Sequence, residues 1–291
     1  MGTLFSESKQ ETAFALETEG KKFETKEEVF EVCPEVGNKT IIEIRLSQNS
    51  YSEEACHAIA EIISTQTSIE KADLSDMFTG RTKDIVVPSM HVLCAALSPV
   101  RLRVLDVSNN AFGAVGVQAV VDLLKQAPDL ADLQVNNNGL GSSGATLVAE
   151  GIRNLNLRVL GICRNRIENV GAVAIGEALR GMGSLQRLSV FQNGITAQGM
   201  ISIFGAVGAN LEMQYVNVTD NNLKDPAVHE DVKEMGRLFK DALMDTLSTV
   251  GTEVRDRAAA ATPTSDGPQD VVVDAEVIDD GDPGDEADGG D

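Results

Sequence analysis

Short runs of alternating apolar residues recur along the chain at a nearly constant spacing. They follow the pattern L-x-x-L-x-L-x-x-N, as at Leu102, Leu105 and Val107, and seven can be aligned. Alternation with period two predicts a short strand, and an asparagine after it can bond to the backbone of the next turn. The last position of the pattern falls at Asn49, Met77, Asn110, Asn138, Asn165, Asn193 and Asn221. We number the repeats one to seven in the order of these residues.

Between these runs, apolar residues recur four positions apart, which places each pair on one face of a helix. One strand-turn-helix unit cannot bury its own helix face, so neighbouring units must stack. The predicted fold is an α/β solenoid with a concave parallel sheet and outer helices. A period of 28 residues is typical of the ribonuclease-inhibitor-like class of leucine-rich repeat. The predicted inward pairs are Val92 and Ala96, Val120 and Leu124, Val148 and Ile152, Ile175 and Leu179, and Ile203 and Val207.

The two ends of the chain differ from the middle. Residues 1 to about 37 carry no recognisable repeat and are expected to form an N-terminal cap, while the stretch from His229 reads as a closing amphipathic helix. Residues 258–291 are rich in Pro, Gly, Asp and Ala, and are expected to be disordered. The predicted division is a repeat domain at 1–257 and an acidic tail at 258–291.

The net charge of −21 makes nucleic acid an improbable partner and a basic protein surface a better one. Residues 266–291 hold eleven Asp or Glu and no Lys or Arg, which leaves −10 for the rest. The four cysteines have neither metal-ligand spacing nor the density of a disulfide framework, so a reducing compartment is expected. Neither a metal nor a cofactor is expected.

No apolar run approaches the ~20 residues that span a bilayer. The N-terminus reads MGTLFS, which matches the myristoylation pattern with Gly2 and Ser6 correctly placed. Lipidation and coincidence, or a cloning residue after Met1, both stay open. A single myristoyl chain would give only marginal membrane binding.

The stretch SDMFTGRTKD, residues 75–84, interrupts the repeat. Met77 stands where an asparagine is due, and the next interval is 33 residues instead of 28. The five extra residues are predicted to lie between Met77 and Val92, in a longer strand-to-helix loop. Loops on rigid scaffolds often carry binding residues. We call residues 78–83 the FTGR loop; it includes Phe78, Gly80, Arg81 and Lys83.

Two polar side chains near this loop admit more than one interpretation. Arg81 could be a solvated guanidinium, a partner of Asp76 or Asp84 that holds the loop, or a functional group. Asn137 follows a strand two repeats further on, so the two backbones are expected about 10 Å apart. Asn137 also belongs to a polar series, and a lone exposed asparagine carries little information. This outward column comprises Gln48, Asp76, Asn109, Asn137, Arg164, Gln192 and Asp220.

Catalysis by this chain alone is not expected. It lacks the G-x-x-x-x-G-K-[ST] loop that cradles phosphate. His57, His91 and His229 occur singly in helical segments with no nucleophile nearby.

The stretches DMFTGRTKD, LDVSNNAFG, NNNGLG and CRNRIEN occur in this order on successive repeats. Over about residues 20 to 225 the sequence resembles the GTPase-activating proteins of Ran, and the FTGR loop is the most specific element. An acidic C-terminal segment is also a feature of that family. The family commonly has more repeats than the seven found here.

The resemblance implies a monomeric activator of a Ran-like small GTPase in its GTP-bound form, with no complete active site of its own. It implies that Asn137 orients the partner's glutamine, that Arg81 supports the loop or binds, and that Lys83, Asp76 and Arg164 contact the partner. A cytoplasmic location, with the nuclear envelope as an alternative, and a role in nucleocytoplasmic transport follow; a Ran-binding protein stays open as a further partner. The alternative function is a non-catalytic scaffold, because solenoids of this type serve many functions.

Overall fold

The computed structural model describes residues 11–15, 20–32, 40–208 and 210–222. The predicted closing helix from residue 229, the acidic tail and Gly2 lie outside the described residues. The strands are β1 (Glu11–Ala15), β2 (Lys22–Phe23), β3 (Thr40–Arg45), β4 (Ser50–Tyr51), β5 (Lys71–Asp73), β6 (Val104–Asp106), β7 (Asp132–Gln134), β8 (Val159–Gly161), β9 (Arg187–Ser189) and β10 (Tyr215–Asn217). The helices are α1 (Lys26–Val32), α2 (Glu53–Ser64), α3 (Lys83–Leu97), α4 (Gly113–Leu124), α5 (Gly141–Ile152), α6 (Glu168–Leu179) and α7 (Ala197–Val207).

The main sheet is parallel throughout and runs in the order β1-β3-β5-β6-β7-β8-β9-β10. Consecutive repeats therefore supply adjacent strands, as predicted for a solenoid. The register places leucine beside leucine across four strands, and all four side chains are fully buried. These residues are Leu105, Leu133, Leu160 and Leu188.

The helices form a second layer, each packed on the next. Glycine recurs near the start of the helices because a side chain there would clash with the neighbouring helix or with the side chain four residues earlier. A Cβ built on Gly171 would lie 2.8 Å from the Cβ of Ala145, and one built on Gly199 would lie 2.9 Å from the Cβ of Ala172. The small residues thus fix the spacing of the outer layer.

The inward pairs of α4 to α7 are buried as predicted. The pair predicted for α3 is wrong by one residue: Val92 and Ala96 are half-buried, whereas Leu93 and Leu97 are fully buried. α3 has 15 residues, against 12 in α4. The extra residues of repeat two are therefore shared between the FTGR loop and an additional first turn of α3.

The predicted asparagine column forms a continuous hydrogen-bonded ladder. The Oδ1 of each ladder asparagine accepts from the backbone N–H at the same position one repeat earlier, at 2.8–3.0 Å. The Nδ2 groups donate to backbone carbonyls of their own and the preceding repeat; Asn165, for example, donates to Val135 and Ile162. The ladder runs from the amide of Met77 through Asn110, Asn138, Asn165 and Asn193 to Asn221.

The part of the chain before repeat one has the geometry of a further repeat, although its sequence lacks the signature. β1 pairs with β3, and β2 pairs with β4 at a spacing of 28 residues. Gly20 has φ +71°, matching Gln48 at φ 65°, and the amide of Lys21 donates to the Oδ1 of Asn49 at 3.2 Å. We call the described residues from 11 to 32 the cap unit.

Candidate functional site

The outward column lies at the ends of the strands, and all seven of its residues have a left-handed backbone with φ between 49° and 65°. Their backbone N–H groups tie neighbouring repeats together. The backbone N–H of Asn109 donates to the backbone carbonyl of Asn136, and that of Asn137 donates to the backbone carbonyl of Cys163. Short polar residues tolerate this conformation better than bulky ones. The backbone thus accounts for the short polar residues of the column, such as Asn137, whether or not they also bind a ligand, but not for long members such as Arg164.

The FTGR loop is built against repeat one. Phe78 is buried and forms an antiparallel bridge with Ser50, whose hydroxyl donates to the carbonyl of Thr79 at 2.9 Å. The Thr79 hydroxyl donates to the Asp76 carboxylate at 2.9 Å. Asp76, predicted as a partner contact, therefore also helps to shape the turn into the loop.

Arg81 is turned inward, with a side chain only 11% exposed. Its Nη1 donates to the Glu24 carboxylate of the cap unit at 2.8 Å, and its Nε donates to the Ser50 hydroxyl at 2.9 Å. Weaker contacts at 3.4–3.5 Å join Nη2 to the carbonyls of Ser50 and Phe23. The alternatives of a solvated guanidinium or a pair with Asp76 or Asp84 are both wrong, because the anion that Arg81 reaches is Glu24.

The hydrogen bond from Arg81 holds the pKa of Glu24 below its ordinary value, and the positive charges of Arg81 and Lys22 act in the same direction. Glu24 itself remains half exposed. The carboxylate is thus charged throughout the neutral range and anchors the guanidinium, so the loop and the cap unit are tied together.

Asn137 is exposed at the end of β7. Its Nδ2 donates to the Oδ1 of Asn109 at 3.0 Å. Within the described residues no donor contacts the Oδ1 of Asn137, so this oxygen can accept a hydrogen bond from a bound protein.

Two cations predicted as partner contacts lie on either side of Asn137. Lys83 is exposed as the first residue of α3, and its Nζ would lie 3.6 Å from a Cβ built on Gly113 in repeat three. Arg164 is exposed at the end of β8, where its Nε donates to Gln192 at 2.8 Å and its guanidinium lies 5.2 Å from the ring centre of Phe191. Arg164 is held in place by repeat six.

The structure does not bring all predicted residues to one point. β5 and β7 are separated by β6 alone, so the turns that follow them are about 10 Å apart. The guanidinium of Arg81, however, points to the cap unit, away from Asn137, while Lys83 extends toward repeat three. Asn137, Lys83 and Arg164 therefore form the exposed part of the candidate site, and Arg81 forms its support.

Glu24 and Ser50, the two residues that bind Arg81, could not be identified from the sequence. Glu24 lies 57 positions before Arg81, and Ser50 lies 31 positions before it. Only the 28-residue offset of the cap unit, which the sequence does not reveal, brings Glu24 under the loop.

Among the described residues, both histidines are exposed and the three cysteine thiols are buried. His57 and His91 are exposed on separate helices, and burial raises the pKa of Cys163 to about 11 and that of Cys56 and Cys94 to about 12. No group of three or more metal-binding side chains occurs in this part of the chain. None of its helices combines the length and apolar character needed to cross a membrane.

Comparison with known proteins agrees with the fold. The sequence model of the Leucine Rich repeat family matches residues 102–121 and 184–204. These two stretches each contain a strand, a ladder asparagine and the start of a helix. The fold is that of a leucine-rich repeat solenoid. The solved structure of a TLR13–ssRNA13 complex aligns with 72% of this chain and 28% of that chain, with a TM-score of 0.36 and 14% identity, a likeness too distant to bear on ligands.

The leucine-rich repeats are similar in sequence to those of Ran GTPase-activating proteins. Ran GTPase-activating protein 1 of Xenopus laevis is 34% identical over 190 residues, which cover 60% of this chain and 33% of the relative. Ran GTPase-activating protein 1 of Saccharomyces cerevisiae is 26% identical over 211 residues, covering 67% of this chain and 52% of the relative. The chain thus spans between a third and about half of the length of these curated relatives.

Proposed function

We propose that this leucine-rich repeat protein is a GTPase-activating protein for a Ran-like small GTPase in its GTP-bound form. The observation that carries the proposal is the lengthened FTGR loop, which Arg81 fastens to the cap unit beside a row of exposed polar side chains. The similarity to proteins named as Ran GTPase-activating proteins supports the same activity. In a cell this activity would support nucleocytoplasmic transport from the cytoplasm.

Asn137 would act by positioning. Hydrolysis in such GTPases depends on a glutamine of the GTPase that orients the attacking water. The Oδ1 of Asn137 can accept from the amide NH₂ of that glutamine, since its own NH₂ is bound to Asn109. The glutamine's carbonyl oxygen is then free to accept from the water. Fixing that geometry supplies rate without a new chemical group.

Arg81 would not enter the partner's active site. To do so its guanidinium would have to leave both the Glu24 carboxylate and the Ser50 hydroxyl. Its role is to hold the FTGR loop in the shape that binds the GTPase. Lys83 and Arg164 carry the exposed positive charge on either side of Asn137 and would contact the partner.

Single-turnover hydrolysis of GTP by Ran, with and without this protein, tests the proposal. We expect Asn137→Ala to lower the stimulated rate at saturation by about 10- to 100-fold with little loss of affinity, because a misplaced reacting group costs rate rather than binding. Gln48→Ala is the matched control: it lies in the same column with φ 65° and is exposed, but belongs to repeat one.

Arg81→Ala should weaken binding as well as rate, since the loop loses its anchor. If the wild-type protein binds Ran but leaves its hydrolysis rate unchanged, the protein is a scaffold instead. If it neither binds nor stimulates, Ran is not the partner.

A further inference from the structure

Repeat five differs from repeats three and four in the residue types at two positions after the ladder asparagine. In repeats three to five, the first and third residues of this turn have a left-handed backbone, which favours glycine. Repeat four has glycine at both, with φ 66° at Gly139 and 62° at Gly141. Repeat five has Arg166 with φ 55° and Glu168 with φ 54°. Two large charged residues thus occupy positions where the backbone conformation favours glycine.

The scaffold does not use these two side chains. Both residues are exposed, and within the part of the chain that the structure describes neither side chain has a hydrogen bond or an ion pair. The backbone N–H of Glu168 donates to the carbonyl of Asn193, but Gly141 makes the equivalent bond to Asn165. Glycine would therefore keep the backbone hydrogen bond of this turn, although Glu168 also places a negative charge in the first turn of α6.

Arg166 and Glu168 line an open groove of about 580 Å³ on the edge of the solenoid between repeats five and seven. Two of its lining residues, Asn169 and Thr196, already have hydrogen-bond partners in each other. The Nδ2 of Asn169 donates to the Thr196 hydroxyl at 2.7 Å, and the backbone N–H of Thr196 donates to the Oδ1 of Asn169 at 2.9 Å. The wall of the groove adds the carboxylate of Asp220 and the side chain of Val170, which is 67% exposed.

The groove is continuous with the candidate site. Gln192 lines it and also accepts the hydrogen bond from Arg164. Arg164 in turn follows β8, the strand that pairs with β7, from which Asn137 extends. A protein bound at Asn137 therefore has the groove directly beside it.

We infer that this groove is a second contact region for the GTPase, an inference that rests on the proposed function. It would bind a segment that offers a carboxylate to Arg166, a basic side chain to Glu168 and Asp220, and an apolar group to Val170. An open groove lined by three charged side chains suits a protein segment better than a small molecule, whose sites are usually enclosed. In this inference, the unfavourable backbone at Arg166 and Glu168 is tolerated because their side chains are needed for binding.

The test uses Arg166→Gly and Glu168→Gly in the full chain. Each should keep or raise the melting temperature, since glycine suits the observed φ, and each should lower the affinity for GTP-bound Ran by about fivefold or more. Stability and binding thus change in opposite directions, which loss of structure cannot produce. Titration calorimetry against Ran loaded with a non-hydrolysable GTP analogue measures the affinity.

Ala111→Gly is the matched control, because Ala111 occupies the same turn position in repeat three with φ 53° and is exposed. It should raise the melting temperature similarly and leave the affinity unchanged, since only a methyl group is lost. If wild-type protein stimulates Ran and both repeat-five variants bind as tightly as it does, the groove is not a contact region and this inference alone fails. If wild-type protein neither binds nor stimulates Ran, the proposed function fails and the inference falls with it.

Discussion

The hydroxyl of Tyr51 donates to the backbone carbonyl of Leu46 at 3.0 Å. One repeat later, the equivalent carbonyl of Leu74 accepts from the Nδ2 of Asn110 at 2.7 Å. Tyr51 therefore supplies the donor that Met77, which has no side-chain amide, cannot. Its fully buried ring stacks on Phe23 at a centroid distance of 5.1 Å, so the substitution also ties the cap unit to repeat one.

Tyr51→Phe should lower the free energy of unfolding by about 1–3 kcal/mol, because the Leu46 carbonyl loses its donor. Adding Met77→Asn should recover part of that loss, whereas Met77→Asn in the wild-type background should destabilise. Urea denaturation of the four proteins measures the coupling. Tyr215→Phe, at a half-exposed tyrosine, serves as the control; an equal loss in that variant would mean that the Tyr51 hydroxyl has no special role.

Asn165→Ala should be among the most destabilising substitutions in the repeats, at about 3 kcal/mol or more. It removes the acceptor of the Asn138 amide and the donor to the carbonyls of Val135 and Ile162, and Asn165 is fully buried. Asn137→Ala, at an exposed position, should cost only about 1 kcal/mol, mainly because alanine suits the left-handed backbone there less well than asparagine. Thermal unfolding of both variants would contradict the ladder argument if the two losses were similar.

Glu24→Gln should weaken the attachment of the FTGR loop to the cap unit. The strength of that attachment should then no longer change as the pH is lowered, because glutamine does not titrate. In the wild type, the folded pKa of Glu24 is lowered, so its contribution is present above the ordinary carboxyl range and is lost as pH falls through the folded pKa. The difference in melting temperature between the two proteins should therefore shrink as the pH is lowered. A difference that stayed constant down to the acid end of the curve would rule out the ion pair as its source.

Asp106→Asn should stabilise the protein at neutral pH. Burial raises the pKa of Asp106, and the carboxylates of Asp73 and Asp132 add to this, although hydrogen bonds from Ser108 oppose it. A raised folded pKa means that the wild type is favoured at low pH and loses that stability as pH rises through the folded value. The gain from the variant should appear at pH 7 and vanish near pH 3, as urea titrations at both values can check.

The repeat could be predicted from sequence because strand and helix periodicities leave a direct imprint at positions such as Leu105 and Leu133. An N-terminal cap was expected, but its repeat geometry could not be predicted, because Lys21 occupies the asparagine position and only its backbone N–H, which any residue but proline carries, joins the ladder. The one-residue shift to Leu93 escaped detection because adjacent apolar residues fit the same helical period. The role of each exposed side chain beside Asn137 stays a prediction, since the left-handed backbone by itself already favours a short polar residue at Asn137.

The asparagine ladder has one missing step, between repeats one and two, and this has a consequence for folding cooperativity. In a solenoid, each unit is stabilised mainly by its neighbours, so a weakened interface becomes a boundary between cooperative units. The strands and helices of repeats one and two still pair and pack across this interface. Arg81, which belongs to the FTGR loop of repeat two, also crosses it to reach Ser50 and Glu24. Severing that link should let the cap unit and repeat one open as a separate block, which hydrogen exchange would detect as early loss of protection in residues 40–51 while later repeats stay closed. The loop proposed to engage the GTPase would then also set whether the solenoid unfolds in one transition or in two.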